Sequence, residues 1–279
     1  MKKILVPCDF SELSEEAFRF ALELSRKTHG EVSVLHVINY YAIMDPIGVP
    51  EYSPLIQPDL GDQMEEIALE RFNAFKNKWG HKEDLIEFIP EYGGTISSIQ
   101  EFAETSKCDL VVMGARKVDG LEEYFFGSHS GKMVGHSSVP VLFIKHYFDP
   151  NSVRDIIFPN SLEIPQDDLV FRIKDLQEFF NAEIRVLYVN TPYAFRSDLE
   201  TQEALKKFAT YYSLRNYSLH IFSDHDEETG IANFKKQYPH AIIALSTHGR
   251  VGLNAFLNGS ITKNLVNHFD YPIWTVLKK

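Results

Sequence analysis

The chain has only two cysteines, Cys8 and Cys108, among its 279 residues. That is too few for a disulfide framework or for a zinc site built from thiolates, so both are read as small buried hydrophobes. Long apolar runs are missing as well. The best are Ile4-Leu5-Val6 and Leu110-Val111-Val112-Met113, far short of the roughly 18 to 20 residues that cross a bilayer. After Met1-Lys2-Lys3, the interruption at Pro7, Cys8 and Asp9 prevents a secretory h-region, and a cytoplasmic protein is expected. Positive charge is scarce: 28 Lys and Arg stand against 39 Asp and Glu, a net charge of −11. Such a chain is repelled by a phosphate backbone or an anionic membrane, which removes nucleic acid and membrane from the expected partners. A small phosphate ligand survives that argument, because it needs only a local pocket of donors.

Several catalytic patterns are also missing. The 11 histidines form neither His-x-His nor His-Glu-x-x-His, and no Gly-x-Ser-x-Gly elbow occurs. No metal site and no catalytic residues are therefore assigned. Gly127-Ser128-His129-Ser130-Gly131-Lys132 has one residue too few between its glycines for a P-loop, and Met133 stands where Mg²⁺ would need a hydroxyl. Asp224-His225-Asp226 reads as a solvated loop ahead of a helix.

What is present is ordinary globular composition, 44% hydrophobic and 24% charged, with a length that suits two domains of about 140 residues. The chain repeats itself. Lys3-Ile4-Leu5-Val6-Pro7 resembles Asp155-Ile156-Ile157-Phe158-Pro159, and Glu31–Val37 resembles Glu183–Val189, both at an offset of 152. Further on, Gly127-Ser128, His136 and Pro140 match Gly259-Ser260, His268 and Pro272 at an offset of 132. One deletion of 20 residues between about 42 and 85 accounts for the change. The first copy there carries an irregular segment at about 42–62 with Pro46, Pro50, Pro54 and Pro58. The copies are expected at 1–148 and 153–279.

In the first copy the periodicity predicts strands at 3–7, 31–37, 85–89, 109–113 and 140–144, with helices at 12–28, 64–79, 95–106 and 127–137. Ser11 or Ser14 is a candidate cap for the first helix, whose inward stripe is Ala17, Phe18, Ala21, Leu22, Leu24 and Ser25. Near-continuous apolar strands alternating with helices predict two tandem, doubly wound, parallel five-stranded α/β sheets in flavodoxin-like order. Ligands of such sheets sit beyond the carboxyl ends of the strands, where the order reverses. Attention therefore falls on the ends of the first and fourth strands.

After the first strand comes Pro7-Cys8-Asp9, where Asp9 can accept ribose hydroxyls or cap the next helix. After the fourth come Met113-Gly114-Ala115-Arg116-Lys117 and then Gly127-Ser128-His129-Ser130 opening a helix. Glycines, helix-start amides and hydroxyls there suit phosphate. The second copy offers Pro159-Asn160-Ser161, then Ser246-Thr247-His248-Gly249-Arg250 and Gly259-Ser260-Ile261-Thr262.

This constellation resembles the universal stress protein family in its tandem form. The family pattern runs Gly, two residues, Gly, nine residues, Gly-Ser or Gly-Thr after the fourth strand. The first copy has Gly114 and Gly127-Ser128, with Lys117 for the middle glycine; the second has Gly249 and Gly259-Ser260, with Ser246 for the first. The resemblance implies a stress-response module that binds ATP or a related adenine nucleotide, with Mg²⁺ as a candidate companion, and has no catalytic centre of its own. Carried over by position, Asp9 meets the ribose, Val37 offers backbone groups to adenine, and Gly114, Gly127, Ser128 and Ser130 hold phosphates. Val189, Gly249, Gly259, Ser260 and Thr262 are their counterparts. At constant offset Asp9 aligns with Ser161, and a shift of one gives Asn160. The family also implies pairing of the two copies through their fifth strands, Val139–Ile144 near Tyr271–Val276, and leaves a homodimer open. The alternatives are a scaffold that binds no nucleotide and acts on an unidentified protein partner, and a weak ATPase or nucleotidyl transferase.

Overall fold

The computed structural model describes residues 1–38, 60–115, 133, 137–248 and 271–278. They fall into two compact units, Met1–Gly114 and Ala115–Lys279. The first contains β1 (Lys3–Pro7), α1 (Glu12–Thr28), β2 (Glu31–Ile38), α2 (Leu60–Trp79), β3 (Leu85–Tyr92), α3 (Thr95–Thr105) and β4 (Leu110–Gly114). Its strands are parallel in the order β3-β2-β1-β4. Ile4, Leu5 and Val6 are fully buried, as an apolar strand covered on both faces must be. Ser11 is the N-cap of α1, accepting from the Ser14 amide, and the predicted stripe of that helix is buried together with Phe20. α2 lays Phe72 flat on Phe88 of β3 at 4.6 Å between ring centroids. Arg26 of α1 then anchors the α2–β3 connection, pairing with Asp84 at 2.6 Å and donating to the Trp79 carbonyl. Pro90 is tolerated in β3 because that strand ends the order and needs no amide on its outer side.

The second unit contains β5 (Val141–Ile144), β6 (Asp155–Pro159), α4 (Asp167–Phe180), β7 (Glu183–Asn190), α5 (Asp198–Tyr211), β8 (Tyr217–Ser223), α6 (Glu227–Lys235), β9 (Ala241–His248) and β10 (Ile273–Lys278). Its order is β5-β10-β9-β6-β7-β8. All neighbours are parallel except β5 and β10, which pair antiparallel with Phe143 opposite Ile273 and Leu142 opposite Trp274. This is the pairing of fifth strands that the family resemblance implies. It makes the sheet of this unit mixed.

Strand registers verify the repeat independently of sequence likeness. Ile4 pairs with Val32 and Ile156 with Ile184, reproducing the offset of 152. Ile4 also pairs with Leu110 and Ile156 with Ile242, reproducing the offset of 132. The third strands are out of step by one. Val32 pairs with Ile86 and Ile184 with Tyr217, an offset of 131. At 132, Phe88, which faces α2, would correspond to His220, which packs on Phe234 of α6. A one-residue slip exchanges the faces of a strand, so 131 is the structural register. The single 20-residue deletion is thus corrected to a loss of 21 before β8 and a gain of one after it. The gain lies in the turn, where Asp224-His225-Asp226 replaces Gly93-Gly94.

The strand order is a second correction. A flavodoxin-like sheet places the third strand beside the first, whereas here β1 lies between β2 and β4, and β3 lies outside β2. The α/β class stands; the crossover from β2 continues outward before the chain returns past β1. The expected helix at 127–137 and the segment at 42–62 lie outside the described residues, apart from Met133, Ser137 and the start of α2.

Candidate functional site

In the first unit the order reverses between β1 and β4, which opens the crevice expected to hold a ligand. Pro7 pairs with Leu35 and Leu5 with Val111, so Asp9, Val37 and Gly114 leave their strands at nearly one level. Cys8 closes the end of β1: its amide donates to the Leu35 carbonyl at 2.8 Å, and its thiol is buried 3.6 Å from the Ser14 hydroxyl. Burial pushes that thiol up to about 11, so it stays protonated at neutral pH. His36 Nδ1 lies 2.8 Å from the Cys8 carbonyl and bridges the ends of β1 and β2.

Asp9 then turns out to solvent, set by Phe10 at a φ of 62°. The Phe10 ring sits 4.6 Å from His36 and 5.8 Å from Phe75, and this packing holds a conformation that an aromatic residue rarely adopts. The Ser11 amide and hydroxyl both donate to Asp9 Oδ1, at 3.0 and 2.6 Å. Desolvation works to raise the Asp9 carboxyl, but the Ser11 hydroxyl and amide, with Ser14, outweigh it and hold the group below its ordinary range. Ser11 therefore fixes an ionised carboxylate and caps α1 at once. Sequence reading found Ser11 as a cap and overlooked this second role, although an Asx turn is legible in Asp-x-Ser.

Gly114 has a reason of its own. A Cβ there would stand 2.5 Å from the Leu13 carbonyl oxygen in the first turn of α1. The glycine is demanded by helix–strand packing before any phosphate is considered. Val37 and Met113 are half-buried at their strand ends. Arg116, Lys117, Gly127, Ser128, His129 and Ser130 lie outside the described residues.

The second unit reuses the backbone and changes the chemistry. Leu162 has a φ of 66°, matching Phe10 at the offset of 152, and the Asn160 amide donates to the Leu187 carbonyl as Cys8 does to Leu35. No shift is needed, so Ser161 stands in the place of Asp9. Asn160 is buried in an internal network: its Nδ2 donates to Gln166 Oε1 at 2.8 Å, and its Oδ1 accepts from the Leu162 amide at 2.6 Å. The backbone N–H of Gln166 donates to the Tyr212 hydroxyl. Asn160 thus spends both ends of its side chain on the protein. α4 begins only at Asp167, with Pro165 where Leu13 stands in the first copy. The helical turn that crowds Gly114 therefore has no counterpart, which accounts for Ser246 at the equivalent position. Pro159 and Val189 are buried, and His248 ends β9. Gly249, Arg250, Gly259, Ser260, Ile261 and Thr262 lie outside the described residues.

Among the described residues no helix is long and apolar enough to cross a membrane, and no group of three His, Cys, Asp or Glu could hold a metal ion.

Comparison with known proteins places this architecture. The model of the universal stress protein family matches residues 1–145. A universal stress protein of Methanocaldococcus jannaschii is 31% identical over 148 residues, 52% of this chain and 82% of the relative. Another, from Bacillus subtilis, is 28% identical over 148 residues, 51% of this chain and 98% of the relative. The crystal structure of a universal stress protein from Archaeoglobus fulgidus superposes with a TM-score of 0.73 at 18% identity, covering 99% of this chain and 96% of that one, and so shares its fold. With single-copy relatives spanning half the chain and strand registers repeating in the other half, the chain belongs to the universal stress protein family, in tandem form.

Proposed function

We propose that the first copy binds an adenine nucleotide, ATP or a close relative, and that the second copy does not. The observation that carries this is the Asp9 carboxylate, held ionised by Ser11 at the β1/β4 reversal, while its counterpart is Ser161 beside an amide network already satisfied. Asp9 accepts the ribose hydroxyls, Oδ2 being the oxygen that Ser11 does not use. Val37 offers its backbone to the base. Arg116, Lys117, Gly127, Ser128, His129 and Ser130 receive the phosphates, and Mg²⁺ accompanies them when it is present. The copies are taken as 1–148 and 153–279, and the protein acts in the cytoplasm as a stress-responsive sensor whose bound state is favoured by mass action.

Calorimetric titration of the full chain with ATP, ADP and AMP tests this directly. One site per chain is expected, and Asp9→Asn should weaken it about ten- to a hundredfold, the loss of charge-assisted hydrogen bonds. Absence of heat and of any thermal shift with all three nucleotides would leave the scaffold reading. Two equivalent sites would refute the assignment to one copy. Mg²⁺-dependent turnover would instead make the protein a weak hydrolase or transferase.

A further inference from the structure

The second unit has an open groove of about 600 Å³ at the carboxyl ends of β7 and β8, walled by Pro192, Phe195 and Phe222 and rimmed by Asp224 and His225. The connector from β7 to α5 is short, residues 191–197. The short connector is pre-ordered. Asn190 clamps it through two bonds, Nδ2 to the Arg196 carbonyl at 3.0 Å and the Arg196 amide to Oδ1 at 3.1 Å, and the Tyr188 hydroxyl donates to the Ala194 carbonyl at 3.1 Å. So held, the chain presents Tyr193 at 98%, Phe195 at 74% and Leu199 at 69% exposure. A single exposed apolar residue is ordinary; three within seven residues beside a groove mark a contact surface. Ordering this loop in advance removes part of the entropic cost of binding.

Charge selects the occupant. Asp224 lines the groove, Asp226 and Glu227 follow it into α6, and Asp198 and Glu200 stand in the first turn of α5. Two cations stand against these five acids: Arg196, its guanidinium over the Tyr188 ring at 5.3 Å, and Lys236, which acts on Asp224 from the end of α6. A nucleotide phosphate is repelled by such a rim, and so is a second copy of a chain carrying a net charge of −11. We propose that this groove docks a short basic and apolar segment of a partner protein, with an apolar side chain between Phe195 and Phe222 and a Lys or Arg on Asp224. This surface is independent of the nucleotide site at Asp9.

The test is fluorescence anisotropy of a labelled Lys-Leu-Trp-Lys-Leu peptide against the 279-residue chain. Saturable binding is expected, about tenfold weaker for Phe195→Ser and for Asp224→Asn and abolished when the peptide lysines are replaced by glutamate. Phe195 is exposed, so its variant should keep the wild-type melting temperature and confine the effect to the surface. Equal affinity of Phe195→Ser would reduce the binding to general charge attraction and overturn the proposal. So would displacement of the peptide by ATP, absence of binding, or a concentration-dependent dimer in sedimentation that Phe195→Ser dissolves.

Discussion

Gly114 and Asp9 stand near one level in the crevice and answer to different forces. With the Leu13 carbonyl 2.5 Å from where a Cβ would be, Gly114→Ala must displace the first turn of α1 and is expected to cost about 1 to 3 kcal/mol in chemical denaturation. Unchanged stability with weakened nucleotide binding would show that the glycine serves the ligand instead. Asp9 titrates in the opposite sense to a buried base. Its folded-state pKa is depressed, so its contribution is present above the unfolded value and is lost as pH falls through the folded one. Nucleotide affinity should accordingly fall on acidification, and in Asp9→Asn this part of the profile should flatten. Lys235 offers the contrast: it is 1% exposed, with its ammonium on the Tyr238 and Pro239 carbonyls, both at 2.9 Å, and desolvation lowers it to about 8 although Asp155 works to raise it. The unfolded chain binds more protons than the folded one between about 8 and the ordinary lysine value, so this group makes stability rise with pH across that window. Urea midpoints of the wild type and Lys235→Met should diverge there, and parallel profiles would contradict the assignment. Asp9 was legible from its place after an apolar strand; Lys235 was not, because nothing in the local sequence marks a cation as enclosed.

Helix starts carry both stability and site geometry, and two serines separate the contributions. Ser197 and Glu200 form a reciprocal capping box on α5, so Ser197→Ala should cost about 0.5 to 2 kcal/mol and leave nucleotide affinity alone. Ser11→Ala should incur a similar loss and, in addition, release Asp9, weakening nucleotide binding and moving its acid limb to higher pH. Calorimetry at two pH values beside thermal melts distinguishes the outcomes. The existence of α1 was legible: apolar period and a capping serine gave its observed bounds, 12–28. The register of β8 was not, because Gly93-Gly94 and Asp224-His225-Asp226 are equally good turn sequences. Only pairing across the sheet, with Phe88 on one face and His220 on the other, reveals the extra residue.

Over the whole molecule, the repeat was plain in the sequence and the strand order was not. Like residues at 152 and 132 survive as identical pairings in the sheets. Whether the crossover after the second strand returns past the first or continues outward is a non-local choice that period and composition do not encode. The same limit applies to the proposed division of labour between the copies: Ser161 for Asp9 could be read, but the satisfaction of Asn160 by Gln166 and Leu162 required the fold. The pairing of β5 with β10 buries Trp274 completely against its unit. Trp274→Ala is expected to cost about 3 to 5 kcal/mol, measured as a loss of melting temperature; a shift of under a degree would mean the pairing contributes little.

The chain has two tryptophans, and each unit holds one. Trp79 is half-buried, its indole N–H bonded to Glu15 at 2.7 Å and its ring flanked by Arg19 and Lys78. Trp274 is wholly enclosed, and among the described residues its N–H has no hydrogen-bond partner. One indole thus emits from a polar, charged setting and the other from an apolar one, so the unlabelled protein carries two spectrally separable optical probes. With Trp79→Phe and Trp274→Phe, native fluorescence can follow the unfolding of each half and reveal which of them responds to added nucleotide.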